Sequence, residues 1–305
     1  MNELFLDQRP IYVSVSGLTD PGRQRSENQD HFLVADLSRP EDGGMILSPG
    51  QDGLSVGGGG DFVLGPKGAL FLVADGMGGA AAGSVASKMA TGWIHEELVE
   101  RWSTQRENTP TRFMTDLRDA VEATNAMVHQ QSERYPQYRG MGTTVTAAGV
   151  LDGFLYLAQV GDSRAYLVRN GIATQLTRDQ SLVQEMIDAG TLREEDAESS
   201  AHRNIILQAL GVQPEIRVDL TYQELRRGDI LILCSDGLFR TVRRDEIAAI
   251  VDGEGHPARA CERLVALANE RGGPDNVTVI VARLDGEGLE TPRPDDRVER
   301  RGYEL

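Results

Sequence analysis

Four short stretches of the chain set a carboxylate beside an apolar run. Ala69 to Ala74 leads into Asp75-Gly76-Met77-Gly78-Gly79, and Ile230 to Cys234 leads through Ser235 into Asp236-Gly237. Asp275-Asn276 immediately precedes the run from Val277 to Arg283, and Gly161-Asp162-Ser163-Arg164 sits in the turn between two further runs. Runs of this length and composition, punctuated by glycine and aspartate, read as strands. Each of these aspartates is therefore expected at a strand end or in a turn, with the Asp75 carboxylate aimed out of its sheet. Gly76, Gly78 and Gly79 carry no Cβ, so the backbone after Asp75 can bend sharply and approach a ligand. Alone, an Asp-Gly pair is an ordinary turn former. Its recurrence suggests more: neighbouring strands would bring these carboxylates to one edge, where their repulsion is relieved by protons or by bound cations. An all-oxygen donor set favours Mg²⁺ or Mn²⁺ over zinc. The five histidines show no ligand spacing, and His31, His95 and His129 fit ordinary helix or strand positions.

The elements that must position these residues follow from the pattern. Ile11 to Leu18 alternates as a strand, then a polar turn carries Arg25, Asn28, Gln29 and Asp30 into a second strand, His31 to Asp36. Residues 37–67 are rich in glycine and proline and read as a flexible surface insertion. A phosphate-cradling role for Gly57 to Gly60 is disfavoured, because no Lys-Ser/Thr pair follows. Helices are expected over Ser84 to Trp102 and Arg112 to Arg134, the second with apolar residues at helical spacing. Thr143 to Leu151, Phe154 to Val160 and Ala165 to Arg169 are short strands. Asp152-Gly153 and Asn170-Gly171 are two-residue hairpin signals, which make neighbouring strands antiparallel and exclude a purely parallel sheet. Residues 179–211 form a polar excursion, a flap candidate with a helix from Ser181 to Ala189 and an acidic run from Glu194. Strands at Ile216 to Tyr222 and Ile230 to Cys234 follow. Two helices, Arg244 to Val251 and Pro257 to Arg271, precede the last strand, and the charged, proline-containing segment 285–305 is expected to be disordered.

Composition narrows the function classes. The chain has 305 residues, 40% of them hydrophobic, enough for a sizeable core. With 47 acidic against 31 basic residues the formal charge is -16, which argues against nucleic acid or an anionic membrane surface as a partner. Two cysteines make no disulfide framework, and Cys234, inside an apolar run, reads as a core residue. The acidic, short apolar start does not resemble a secretory signal, and no stretch is long enough to span a bilayer. These features point to a cytoplasmic protein.

Six motifs in order carry a resemblance: Arg25-xx-Asn28-Gln29-Asp30, Asp75-Gly76-Met77-Gly78-Gly79, Gly140-Met141-Gly142-Thr143-Thr144, Gly161-Asp162-Ser163-Arg164, Ser235-Asp236-Gly237-Leu238 and Asp275-Asn276-Val277-Thr278. Together they resemble the metal-dependent serine/threonine protein phosphatases of type 2C in their bacterial form, from about Val13 to Ala282. The resemblance implies an α+β fold, a four-layer α/β/β/α sandwich of two antiparallel sheets flanked by helices, with a flap subdomain. The phosphatase domain would occupy residues 11–284. It also implies a dinuclear Mn²⁺ or Mg²⁺ centre. Asp75 would bridge the ions, the Gly76 carbonyl would bind one, and Asp236 and Asp275 would serve the other. Arg25 would hold the substrate phosphate, as a planar guanidinium suits. Asp162 would bind a third, weaker ion shared with Asp236, and Asp30, Gln29 and Asn276 would stand behind the ligands.

The implied reaction is hydrolysis of phosphoserine and phosphothreonine in proteins by a metal-activated water. The partners would be phosphorylated proteins and a serine/threonine kinase acting on the same substrates, and the protein would be a monomer. The alternatives are a phosphatase of small phosphate esters and an inactive regulatory module. Two residues depart from relatives: Gln29 stands where many have Glu, and Met77 stands where eukaryotic members have a His that is a candidate general acid. Met77 has no proton to donate.

Overall fold

The computed structural model describes residues 9–39, 44–49, 59–78, 82–103 and 108–304. In chain order the strands and helices are β1 (Tyr12–Asp20), β2 (Asp30–Asp36), β3 (Met45–Leu47), β4 (Gly59–Val63), β5 (Ala69–Met77), α1 (Ala82–Ser103) and α2 (Pro110–Arg134). Then come β6 (Gly142–Thr143), β7 (Val145–Leu151), β8 (Phe154–Val160), β9 (Arg164–Arg169), β10 (Ile172–Gln175) and α3 (Leu182–Asp188). The chain continues through β11 (Asp219–Glu224), β12 (Ile230–Cys234), α4 (Asp236–Phe239), α5 (Arg244–Gly253), α6 (Pro257–Glu270), β13 (Val277–Asp285) and β14 (Arg301–Gly302).

The strands form two antiparallel sheets. One has the order β10-β9-β12-β13-β1-β4, the other β14-β11-β8-β7-β5-β2-β3, with β6 continuing beside β5. Both hairpin signals act as expected. Asp152 and Gly153 (φ 49° and 76°) and Asn170 and Gly171 (φ 53° and 74°) all take left-handed backbone, which matches the twist of β7–β8 and β9–β10.

Strand β5 shows why its sequence is a continuous apolar run: both of its faces are buried. Ala69, Phe71 and Val73 point between the sheets, where they meet Val13, Val15, Leu233 and Ile280. Leu70, Leu72 and Ala74 point the other way, onto Ile94, Leu98 and Trp102 of α1 and Phe113 and Leu117 of α2. On the far side, Tyr166, Ile232 and Val279 pack against Ile247 of α5 and Leu264 of α6. Four layers result. Truncating an interior ring such as Phe71 to alanine costs about 3–5 kcal/mol.

Four expectations need correction. Strand β5 does not stop before Asp75; it continues through Met77 because Gly76 and Met77 pair with Thr143 and Gly142 of β6. Asp236 does not end a strand but opens the turn of α4. The 37–67 insertion contributes an edge strand to each sheet, since β3 pairs with β2 and β4 with β1; Gly57 and Gly58 lie outside the described residues. The segment after Asp285, described through Glu304, docks on the fold. Leu289 and Val298 are buried, Arg301 and Gly302 pair with β11, and Tyr303 sets its ring edge-on to Tyr222 at 5.6 Å. Its charges and prolines suggested disorder, but three apolar residues spaced along it suffice to dock it. No helix among the described residues is long and apolar enough to cross a membrane.

Candidate metal centre

The site forms where the ends of β2 and β5 in one sheet meet β12, α4 and the start of β13 in the other. Asp30 and Asp75 are direct partners in the β2–β5 register, so their side chains share one face. Asp236 follows β12 and Asp275 precedes β13, and these two strands are hydrogen-bonded neighbours. Glycine is required at two of the crossings. A Cβ on Gly76 would lie 2.1 Å from the Gly83 carbonyl oxygen, and one on Gly237 would lie 2.0 Å from that of Asn276.

A buried polar scaffold fixes the acids. Asp30 Oδ2 accepts from Ser235 Oγ at 2.6 Å, and Ser235 Oγ accepts in turn from the Thr278 N–H at 3.0 Å. Thr278 shares a 2.6 Å hydrogen bond with Thr19, whose hydroxyl oxygen accepts from Asn28 at 2.8 Å. The chain of contacts thus crosses from one sheet to the other. Thr144 clamps Asp75: its N–H donates to the Asp75 carbonyl at 2.8 Å, and its hydroxyl accepts the Asp75 N–H at 3.0 Å. Asn276 organises the loop that bears Arg25, accepting from Gln29 N and donating to the carbonyls of Pro21 and Glu27, each at 2.9 Å. The Gln29 carbonyl accepts from Gly76 N at 3.1 Å, while its side-chain amide lies against Gly83.

Electrostatically these aspartates act as one group. Burial pushes Asp30 up to about 7, and the nearby Asp236 and Asp275 add to the rise. Asp75 rises well above the usual carboxylate range, through burial and then repulsion from Asp30, Asp236, Asp162 and Asp275. Burial likewise raises Asp236, against the pull of Arg240. One oxygen on each of Asp30, Asp162 and Asp236 is buried with no hydrogen-bond partner. Unpartnered buried carboxylate oxygens that repel one another suit hard divalent cations, whose ligands are oxygens. Among the described residues no three of His, Cys, Asp and Glu are already closed into a metal cage. Instead, two guanidinium groups stand among the acids. Arg25, 57% exposed at the mouth, pairs with Asp275 at 2.7 Å. Arg240, deeper in the site, pairs with Asp236 at 3.0 Å and Asp162 at 3.6 Å.

A family model described as Protein phosphatase 2C matches residues 48–275. The chain belongs to this family. It is 34% identical over 278 residues to protein phosphatase PhpP of Streptococcus pneumoniae, covering 91% of this chain and 100% of PhpP. It is 37% identical over 216 residues to the serine/threonine phosphatase Stp of Listeria monocytogenes, covering 71% and 84%. Its fold is similar to the crystal structure of the Mycobacterium tuberculosis serine/threonine phosphatase PstP/Ppp, with TM-score 0.71, 33% identity and coverage of 90% and 99%. A structure of the PstP catalytic domain in complex with two manganese ions matches with TM-score 0.69 and 32% identity, covering 90% and 99%. The chain is thus a metal-dependent protein serine/threonine phosphatase of type 2C, with the fold its motifs implied.

In this phosphatase 2C chain, Arg25, Asp30, Asp75, Gly76, Asp236, Asp275 and Asn276 gather where the strand ends of the two sheets meet, with Gln29 behind Gly76 and Asp162 on the flap side. Gly79, the last residue of the second motif, lies outside the described residues. Sequence reasoning missed the residues that join the flap to the centre. Arg164 binds Asp179, at the flap's start, through Nε to Oδ1 at 3.0 Å and Nη2 to Oδ2 at 2.7 Å, and its guanidinium stacks on Phe239 at 3.7 Å. Gln180 braces the Asp162 turn, exchanging hydrogen bonds with Gly161 N at 2.8 Å and Gly161 O at 2.9 Å. Arg164 was visible as part of a motif, but its partners are distant in sequence. Arg240 carried no signal beyond following Asp236 by four residues.

Proposed function

We propose that the chain removes phosphate from phosphoserine and phosphothreonine side chains at a two-ion centre, with Arg25 as the phosphate receptor. The observation that supports this reading is the meeting of Asp75, Asp236 and Asp275 at the strand ends, where Asp30, Asp162 and Asp236 each keep one buried, unpartnered carboxylate oxygen, with an exposed guanidinium at the rim. Asp75, the Gly76 carbonyl, Asp236 and Asp275 would hold two Mn²⁺ or Mg²⁺ ions. Such ions, when bound, activate a water and offset charge on the phosphoryl oxygens. Asp30 and Asn276 keep the ligands in register, Asp30 through Ser235 and Asn276 through the Arg25 loop.

Arg25 spans two roles. Its Nη2 donates to Asp275 Oδ2, and its exposure leaves the rest of the fork able to turn to a phosphate. The open, loop-rimmed position fits a side chain presented by a protein, and a kinase acting on the same substrates would be its counterpart. We read the protein as a cytoplasmic monomer.

The experiment is phosphate release from a phosphothreonine peptide. Turnover is expected with Mn²⁺, with loss in excess EDTA and recovery on readdition. Turnover that persists in EDTA overturns the two-ion reading. A higher specificity constant for a sugar phosphate than for the peptide overturns the assignment of substrate.

A further inference from the structure

Asp162 and Asp236 are the acids that the family resemblance joins through a third ion, yet the space between them holds a side chain of this protein. Arg240 closes the α4 turn, with its N–H donating to the Asp236 carbonyl at 3.0 Å. One helical turn beyond Asp236, its side chain folds back over that residue. Nη2 lies 3.0 Å from Asp236 Oδ2 and 3.6 Å from Asp162 Oδ2. The same guanidinium reaches the flap: Nη1 donates to Asn204 Oδ1 at 2.6 Å, and Nη2 donates to the Arg203 carbonyl at 3.0 Å. The side chain is only 17% exposed. A cavity of about 290 Å³ beside it is lined by Asp162, Arg203 and Arg240 together with flap residues.

We propose that Arg240 is the resident cation of the Asp162–Asp236 pair, standing in place of a third divalent ion and tying the flap to the metal centre. A guanidinium keeps its charge at any physiological pH and cannot be titrated away. A divalent ion wants about six oxygen ligands, and here one oxygen of each acid faces an N–H donor instead. Ion and guanidinium therefore exclude one another. Asp162 Oδ1, buried and unpartnered, is the oxygen a divalent ion would take once Arg240 has left. The flap contacts make that departure costly, because they break together with the ion pair. Arg240 is thus a positioning residue: it sets the number of ions and the flap's placement without touching the reacting atoms.

The inference rests on the two-ion reading of the site, and the test separates the two. Metal-stripped protein is titrated with Mn²⁺ by calorimetry, and bound ion is counted by electron paramagnetic resonance. Hydrogen exchange is followed at the flap amides of Ile205 and Leu207. Arg240→Gln is expected to bind one more ion than the unaltered protein, and Arg240→Gln with Asp162→Asn to lose that extra ion. Flap exchange in Arg240→Gln should quicken about tenfold. Arg240→Lys keeps the charge but cannot reach both flap partners at once, so it should gain no ion and still exchange faster. The increment decides the matter whatever the absolute count: an increment of zero in Arg240→Gln overturns the proposal, as does one that survives Asp162→Asn. The absolute count of the unaltered protein is the separate check on the two-ion centre.

Discussion

Ser235 and Asp30 join the two sheets at the candidate metal centre: the serine hydroxyl donates to Asp30 Oδ2 at 2.6 Å, from just after β12 to the start of β2. Ser235 Oγ also accepts the Thr278 N–H at 3.0 Å, so both hydrogen-bonding roles of the hydroxyl are used inside the protein. Ser235→Ala strands the buried Thr278 N–H and takes from Asp30 Oδ2 its serine hydroxyl donor. Loss of such a bond with its partners left buried costs about 1–3 kcal/mol. Urea unfolding in EDTA should show that loss. A stability within about 0.5 kcal/mol of the unaltered protein means that water replaces the hydroxyl and that the sheet-to-sheet contact is not a structural tie.

Arg25 should separate phosphate binding from metal binding. Removing a charge-assisted hydrogen bond of about 1.5–3 kcal/mol predicts a fall of roughly 10–150-fold in kcat/KM for a phosphothreonine peptide in Arg25→Ala. Arg25→Lys should recover only part, since an ammonium lacks the planar fork. Mn²⁺ affinity should not fall, because Arg25→Ala frees Asp275 from its ion pair. If instead the variant loses Mn²⁺ and keeps its kcat/KM at saturating metal, Arg25 is a structural partner of Asp275 and does not receive the phosphate.

His31 supplies a pH signature. Burial, with a smaller push from Lys88, lowers it from an ordinary 6.5 to about 4, and its Nδ1 shares a 2.7 Å hydrogen bond with Thr91. Its folded pKa is depressed, so between about 4 and 6.5 the unfolded chain binds a proton that the folded chain refuses. The stability owed to neutral His31 is therefore whole above 6.5 and drains away as pH falls toward 4. His31→Gln removes this contribution. The difference in Tm between the unaltered protein and His31→Gln should shrink as pH is lowered through that window. A difference that stays constant shows that His31 does not titrate on unfolding.

How far the sequence could be read divides along physical lines. Strand β5, both hairpins and the convergence of Asp75, Asp236 and Asp275 were legible, because each rests on local signals: a short apolar run, a left-handed Asp-Gly or Asn-Gly pair, an aspartate beside an apolar run. The docked tail was not. Leu289, Val298 and Tyr303 are too sparse to make a pattern, and their burial depends on surfaces assembled from β11 and its neighbours. The guanidinium links escaped for the same reason. Arg164 meets Asp179 and Arg240 meets Asn204 and Asp162 only after the sheets and flap have brought distant segments together. Family resemblance named the third-ion position at Asp162, but no resemblance reports a side chain that this chain places there.

Gln29 tests whether the residue behind Gly76 tunes the ion that Gly76 would hold. Its carbonyl accepts from Gly76 N at 3.1 Å and from Ser87 Oγ at 2.6 Å, and its amide and the Gly76 carbonyl carbon both lie against Gly83. Gln29→Glu is nearly isosteric, so those contacts can persist while one negative charge is added beside Asp30 and Asp75. Two opposed effects follow. With metal, another anionic oxygen near a hard cation should lower the Mn²⁺ concentration for half-maximal activity. Without metal, a further carboxylate among acids already raised by burial and mutual repulsion should lower Tm. The expected result is therefore a lower Tm in EDTA, a higher Tm gain on adding Mn²⁺, and a lower Mn²⁺ midpoint. An unchanged midpoint together with an unchanged Tm in EDTA would show that position 29 does not feel the ion, and that the neutral amide in this chain has no bearing on how tightly the metal is held.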